Sequence, residues 1–122
     1  MVYEVILKKL KDQTGIHGCS LLTVEGLPIA ADFPDTSMET ALISALSGAT
    51  LSTAAHMIKK FQYGDPDHLT LKGKDGTIFL YQVNEQMILT ALAPNDVSLG
   101  IFTLGINRAI KDINHFAKRP DL

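Results

Sequence analysis

The sequence has one cysteine, no tryptophan and only two arginines in 122 residues. A single thiol, Cys19, excludes an internal disulfide and is typical of a reducing compartment, so we expect a cytoplasmic protein. The net charge is −2, and the basic residues are scattered along the chain, which argues against nucleic acid as a partner. The N-terminus also lacks the basic and then apolar segments of a signal peptide.

Motifs for catalysis and cofactor binding are missing as well. The sequence contains neither a GxxxxGKS/T phosphate-binding loop nor a GxGxxG turn after a strand. Its four histidines share no metal-ligand spacing with one another or with Cys19, which we expect to be a small buried side chain. The residues alone therefore predict no catalytic, cofactor-binding or metal site, and they favour an interaction or ligand-binding domain over an enzyme.

Residues 40–58 contain no Asp, Glu, Lys or Arg, although the chain as a whole is 46% hydrophobic and 20% charged. The run lies within a predicted helix over residues 36–60, with Thr36 and Glu39 at capping-box spacing and two lysines in the last turn. Ser, Thr, Gly and His56 interrupt the run throughout, so we predict a helix of a folded domain and no membrane span. The length and composition fit one domain over residues 1–122.

Small residues form a stripe along one face of this predicted helix, at spacings of four and three. The members of the stripe are Ala41, Ala45, Gly48, Ser52 and Ala55. Two interpretations stay open: the stripe lets the helix lie close on its own sheet, or it meets the same helix of a second copy. The lack of charge favours a second copy, because a surface helix normally carries one charged face.

The other hydrophobic patterns predict an α+β fold with a five-stranded sheet between helical layers. The predicted elements are a helix over residues 2–13, strands over 16–24 and 27–31, the helix over 36–60, strands over 67–72, 77–83 and 87–93, and a helix over 97–117. The last helix is predicted to bury Leu99, Phe102, Ile106, Ala109, Ile113 and Phe116. Pro28 has no N–H to donate, so the second strand should lie at a sheet edge or begin at this proline. The pattern of residues 67–72 also predicts an edge strand. A twofold dimer would cover this edge together with the uncharged run of the helix.

The sequence GCSLLTVEGLPIA at residues 18–30, followed by a long Ala- and Ser-rich helix, resembles the Roadblock/LC7 domain family, and its short prokaryotic members in particular. The hairpin over residues 69–83, the strand MILTALA and the final helix beginning NDVSLGIF match the layout of that family. The resemblance implies a profilin-like, three-layer α/β/α fold with sheet order 2-1-5-4-3. The second helix would lie on one face of the sheet, and the first and third helices on the other.

The resemblance also implies a homodimer, formed through the central helix and the third strand, that serves as a platform for a Ras-like small GTPase. We expect the interface to include Ala41, Ala45, Gly48, Ser52, Ala55, Leu69, Thr70 and Leu71. We expect the partner to bind the solvent end of the helix, at Ser52, His56, Lys59 and Lys60. A Gly48→Glu variant would then fail to dimerise.

Arginine is too scarce to supply an obvious arginine finger, the guanidinium that reaches a transferring phosphate. Arg108 lies inside a predicted helix and Arg119 in the tail. Any stimulation of a GTPase would therefore act by repositioning the catalytic residues of the GTPase itself. Two alternatives remain open: a structural subunit of a larger motor or tethering assembly, and a small-ligand sensor.

Overall fold

The computed structural model describes residues 2–34 and 39–118. The elements are α1 (Val2–Thr14), β1 (Gly18–Thr23), β2 (Pro28–Asp32), α2 (Thr40–Lys60), β3 (His68–Lys72), β4 (Thr77–Gln82), β5 (Met87–Ala93) and α3 (Leu99–Ala117). Their order is the one predicted from the hydrophobic patterns.

The five strands form a single antiparallel sheet in the order β2-β1-β5-β4-β3, which confirms the predicted order. β2 begins at Pro28 and lies at one edge of the sheet, and both positions suit a residue without an N–H. β3 forms the other edge, and within the described part of the chain it pairs only with β4.

The larger core lies between the sheet and the helices α1 and α3. Leu7 and Leu10 of α1 meet Phe102, Ile106 and other residues of α3 there, and all four side chains are almost fully buried. The two helices also join at their far ends, where the Tyr3 and Phe116 rings meet edge to face at 5.0 Å. In this layer α1 packs on β1 and β2, and α3 packs on β4 and β5.

The core on the opposite face is much smaller. It consists of Leu51 of α2 with Leu22, Leu80 and Ile88 of three strands. α2 packs mainly on β1 and β2, and so it does not cover the β3 side of the sheet. The three layers match the predicted α/β/α arrangement, with α2 alone on its face.

Two predictions about helix starts need correction. α2 begins at Thr40, and Glu39 is its N-cap residue with no side-chain hydrogen bond to the helix, whereas Thr36 lies outside the described residues. Leu99, predicted to be buried, is 65% exposed, because it occupies the first turn of α3 at the open rim beside β3. The other five residues of the predicted α3 stripe are buried or half-buried.

Candidate functional site on helix α2 and strand β3

Helix α2 buries little of its surface within the chain. Its buried residues are Ser44, Ser47, Gly48 and Leu51. Among the described helices it is the one long and apolar enough to cross a membrane by length and composition, and only 22% of its most apolar window is buried. The uncharged part of this helix, residues 40–58, is therefore mostly not buried within the chain, and a surface of this kind is typical of an interface.

The small-residue stripe of α2 faces the turn between β1 and β2. A Cβ added to Gly48 would lie 2.9 Å from the Cα of Gly26, and one added to Gly26 would lie 3.1 Å from the Cα of Ala45. Gly26 has a φ of +95°, a conformation that favours glycine. Gly48 is thus buried against its own chain, which argues against its predicted place in a dimer interface and favours the first interpretation of the stripe at this point.

The remaining stripe residues are differently placed. Ala41, Ala45 and Ser52 are exposed and Ala55 is half-buried. Ala45 and Gly48 lie beside the β1–β2 turn, at the opposite end of the sheet order from β3, whereas Ser52 and Ala55 line a groove with Asp65 and Pro66. The structure therefore does not bring Ala45 and Gly48 together with β3 on one flank of the helix.

The outward face of α2 carries large apolar side chains instead. Leu42, Leu46 and Met57 are 52%, 58% and 63% exposed. Leu42 and Leu46 are one turn apart, and Met57 follows on the same side, so they form one apolar strip along the helix. Sequence reasoning concentrated on the small residues and missed this strip.

An apolar groove continues the strip toward β3. Its volume is about 320 Å³, and it lies between Met57 and Phe61 on one side and Tyr63 and Leu69 on the other. Phe61 and Tyr63 are 68% and 78% exposed, with their ring centroids 6.3 Å apart. Two exposed aromatic rings directly after an uncharged helix are the sequence signal that could have indicated this site.

Strand β3 itself is open along its length. Thr70 and Leu71 are exposed and Leu69 is half-buried. Leu71 pairs across the strands with Ile78, which is also exposed, so an apolar pair remains uncovered on the α2 face of the sheet. An unprotected edge of this kind presents free backbone donors and acceptors to another strand.

The predicted partner-binding residues do lie on one exposed side of α2. Ser52, His56, Lys59 and Lys60 are all exposed, and the Lys59 ammonium pairs with the Asp65 carboxylate at 3.2 Å. Beside Ser52 and Lys59 runs a groove of about 620 Å³ that extends to Glu85 in the β4–β5 turn. This end of α2 combines a cationic rim with a concave surface.

The side chains with reactive or catalytic groups either lie away from α2 or have low reactivity. The Cys19 thiol is fully buried, where it donates a hydrogen bond to the Leu7 carbonyl at 3.4 Å. Burial, together with the nearby Asp32 carboxylate, raises the pKa of Cys19 to about 12. Arg108 donates a 3.4 Å hydrogen bond to Gln13 in the α1–α3 layer, on the face away from α2. Within residues 2–34 and 39–118 no group of three His, Cys, Asp or Glu side chains could hold a metal ion.

Comparison with known proteins agrees with the architecture. No curated protein matches the sequence. The fold is similar to that of Myxococcus xanthus MglB, with a TM-score of 0.90 at 15% identity over 95% of this chain and 94% of that one. It is also similar to a Roadblock/LC7 domain from Streptomyces avermitilis, with a TM-score of 0.86 at 15% identity over 93% of this chain and 96% of that one.

The likeness extends to Acanthamoeba castellanii profilin II, with a TM-score of 0.62 at 9% identity over 94% of this chain and 98% of that one. At these identities the structural matches establish the fold, including its profilin-like layers. The family model of the Roadblock/LC7 domain matches residues 2–93, which is most of the chain. The protein is therefore a member of the Roadblock/LC7 domain family.

Proposed function

We propose that the protein is a homodimeric, non-enzymatic regulator or scaffold of a Ras-like small GTPase in the cytoplasm. The observation that carries the proposal is the uncharged outward face of α2, which stays exposed within the protomer and continues into the open edge strand β3. Family membership and the MglB-like fold support the GTPase as partner. Because α2 and β3 are adjacent through the apolar groove, one twofold contact can cover both.

The contacts of α2 within its own chain indicate which part of the helix is free to meet a second copy in this proposal. The flank nearest β3 carries Met57 and Phe61, whereas Gly48 faces the β1–β2 turn. We therefore place Leu46, Met57 and Phe61 in the dimer contact, together with Leu69, Thr70 and Leu71. The exposed stripe residues Ala41, Ala45 and Ser52, with Ala55, stay in the proposal as the border of this contact.

Replacement of Leu46 by glutamate tests the dimer without disturbing the protomer core. A carboxylate buried without a partner costs several kcal/mol, so Leu46→Glu should shift the chain from dimer to monomer in sedimentation equilibrium at tens of micromolar. Val5→Glu is the matched control, because Val5 is a 65% exposed apolar residue of α1. A Leu46→Glu chain that dimerises as the wild type does would contradict the proposed interface. Gly48→Glu is not a suitable test of the dimer, because the new side chain would clash with Gly26 in the same chain.

The proposed GTPase site is the solvent end of α2, at Ser52, His56, Lys59 and Lys60, beside the groove that reaches Glu85. A pull-down with the purified dimer from native lysate, followed by nucleotide-turnover assays on any GTPase recovered, tests the function. His56→Glu with Lys60→Glu should abolish the capture, while Lys9→Glu on the exposed side of α1 should not. If the double variant captured the GTPase as well as the Lys9→Glu control does, this surface would not be the docking site.

The absence of an arginine finger is a separate part of the proposal. Arg108 is engaged with Gln13 in the α1–α3 layer, and it does not share a face with the proposed docking residues. Arg108→Ala should therefore leave any stimulation of GTP hydrolysis intact. Arg119 lies outside the described residues, and we expect the same result for Arg119→Ala from its place in the predicted tail. Loss of stimulation with retained binding in either variant would show that the chain supplies a guanidinium to the reaction.

A small-ligand sensor is the second candidate, and the groove between α2 and the β4–β5 turn favours it. The groove has an apolar floor that includes Leu51 and Ile88, and a polar rim that includes Lys59 and Gln82. That combination is typical of ligand sites. Saturable binding of a metabolite, lost on Ser52→Leu, would support a sensor over a scaffold.

A further inference from the structure

Three buried hydroxyl groups between α2 and the sheet have no hydrogen-bond partner among the described residues. They belong to Ser20 of β1, Ser44 of α2 and Thr90 of β5. Ser20 and Ser44 are 0% exposed and Thr90 is 1% exposed. Ser20 and Thr90 are directly opposite each other, and both face α2, because the strand residues two positions away pack against Leu51. Ser44 lies two helical turns before Leu51, on the same side of α2.

Few other contacts hold α2 on the sheet. Leu51 is the one large apolar side chain of α2 that is fully buried. Within the described residues, no side-chain hydrogen bond or ion pair joins α2 to a strand. The Thr53 hydroxyl donates to the Ala49 carbonyl of the same helix at 2.9 Å. The Lys59 ammonium pairs with Asp65 in the loop that follows the helix.

The other two helices are attached by both packing and polar contacts. Lys11 of α1 pairs with Asp32 of β2 at 3.1 Å. The Asn114 amide of α3 donates to the Val83 carbonyl, directly after β4, at 3.0 Å. α3 also buries three large apolar side chains, those of Phe102, Ile106 and Ile113. The three helices are thus unequally attached to the sheet, and the attachment of α2 is the weakest.

We propose that α2 detaches from the sheet as a unit while the α1–α3 layer stays folded, and that formation of the dimer suppresses this detachment. A buried hydroxyl without a partner destabilises the attached state, because it has lost its hydrogen bonds to water. Detachment returns water to all three hydroxyls, and the apolar surface that it exposes is only the small core around Leu51.

The coupling to the dimer rests on the proposed function. The proposed contact includes α2 together with β3, so it forms only while α2 is in place. A second copy therefore binds the attached state and stabilises it by mass action. The helix that carries the interaction surface would thus be held firmly in the dimer and loosely in the single chain.

The test is hydrogen–deuterium exchange of the full chain, measured by mass spectrometry at concentrations below and above the dissociation constant of the dimer. In the monomer, the amides of α2 should exchange about tenfold faster, or more, than the slowest amides of α3. Thr90→Val should slow exchange in α2 about fivefold or more, because it removes an unpaired hydroxyl at nearly constant volume. Ser20→Ala is a second variant and should act in the same direction. At about 100-fold above the dissociation constant, exchange in wild-type α2 should be about tenfold slower than in the monomer.

Thr77→Val is the matched control, because Thr77 is also a buried strand threonine, but its hydroxyl donates to the Asn95 Oδ1 at 2.6 Å. This variant should not slow exchange in α2. Ile113→Val removes a methylene from the other core and should speed exchange in α3 about threefold or more, while exchange in α2 stays unchanged. That difference distinguishes detachment of one helix from unfolding of the whole chain.

Three results would overturn detachment: α2 exchanging as slowly as α3 in the monomer, Thr90→Val and Ser20→Ala both failing to slow α2, or Ile113→Val speeding both helices equally. Exchange in α2 that stays constant while sedimentation shows the dimer forming would overturn the coupling. A chain that sediments as a monomer at every concentration would overturn the proposed dimer and the coupling. In that case, fast exchange in α2 that Thr90→Val slows would still support detachment.

Discussion

At the scale of single residues, the contact between Gly26 and Gly48 sets how closely α2 lies on the β1–β2 turn. Replacing Gly48 by alanine forces a Cβ to 2.9 Å from backbone, so one of the two segments must move. Overpacking of this kind costs about 1–3 kcal/mol, which exceeds the gain of up to about 1 kcal/mol that alanine brings to a helix. Gly48→Ala should therefore lower the free energy of unfolding, measured by chemical denaturation.

Gly100 offers the matched control for that measurement. It also lies in a helix, α3, but an added Cβ would meet nothing within 4 Å. Gly100→Ala should raise the free energy of unfolding by up to about 1 kcal/mol, since only the backbone entropy changes. The close approach would be refuted if the two alanine variants shifted stability in the same direction.

Cys19 gives a prediction about reactivity and pH. Its thiol is buried and its pKa is raised to about 12, so a thiol reagent at pH 8 should label the native chain far more slowly than the unfolded chain. The unfolded state loses this proton near pH 9, whereas the folded state retains it to about pH 12. Stability should therefore fall as the pH rises above about 9, and a Cys19→Ala variant should lack this part of the decline. Rapid labelling of the native chain would contradict the buried placement.

At the scale of elements, the start of α2 can be located by substitution. With Glu39 as the N-cap residue, serine at this position should be more stabilising than alanine by about 1 kcal/mol. If the helix began earlier and Glu39 lay within its first turn, alanine would be the better residue. Thermal unfolding of Glu39→Ser and Glu39→Ala side by side decides between these starts, since the order of the two melting temperatures reverses.

Much of the element layout could be predicted from the sequence. Met87–Ala93 was predicted with its observed bounds, because turn residues flank a run that is apolar on both faces. Pro28 similarly indicated the edge position of β2. The first turn of α3 could not be predicted, because helical periodicity assigns Leu99 to the apolar stripe and cannot show that the sheet below it is uncovered.

The interaction surface could be predicted only in part. The lack of charge over residues 40–58 indicated that the helix needs cover, and His56 and Lys60 are exposed, as expected for residues at the solvent end of the helix. The role of Gly48 could not be derived, because its contact with Gly26 joins segments that are distant in the chain. The placement of Phe61 and Tyr63 was not predicted for a different reason. The two residues follow the helix in a turn, and hydrophobic periodicity does not indicate the positive φ of Gln62 between them.

At the scale of the whole molecule, the two faces of α2 predict different responses to salt. The proposed dimer contact carries no charged side chain from residue 40 to 58. Its dissociation constant should change less than about threefold between 0.05 and 0.5 M NaCl, because only charge–charge attraction is screened. Binding of a partner at His56, Lys59 and Lys60 should weaken over the same range.

Analytical ultracentrifugation across the salt series measures the first response, and anisotropy with the recovered GTPase measures the second. A dimer that dissociates sharply as salt rises would indicate a contact through charged groups, away from the outward face of α2. Partner binding that does not change with salt would contradict docking through the cationic end of α2.

The two edges of the sheet are unlike each other, and this limits how the protein can polymerise. β3 is bare, but β2 starts with a proline and is fastened to α1 by an ion pair of 3.1 Å between Lys11 and Asp32. A sheet that gains strands only at β3 would end after two chains. The proposed β3–β3 dimer would therefore not extend into a β-filament.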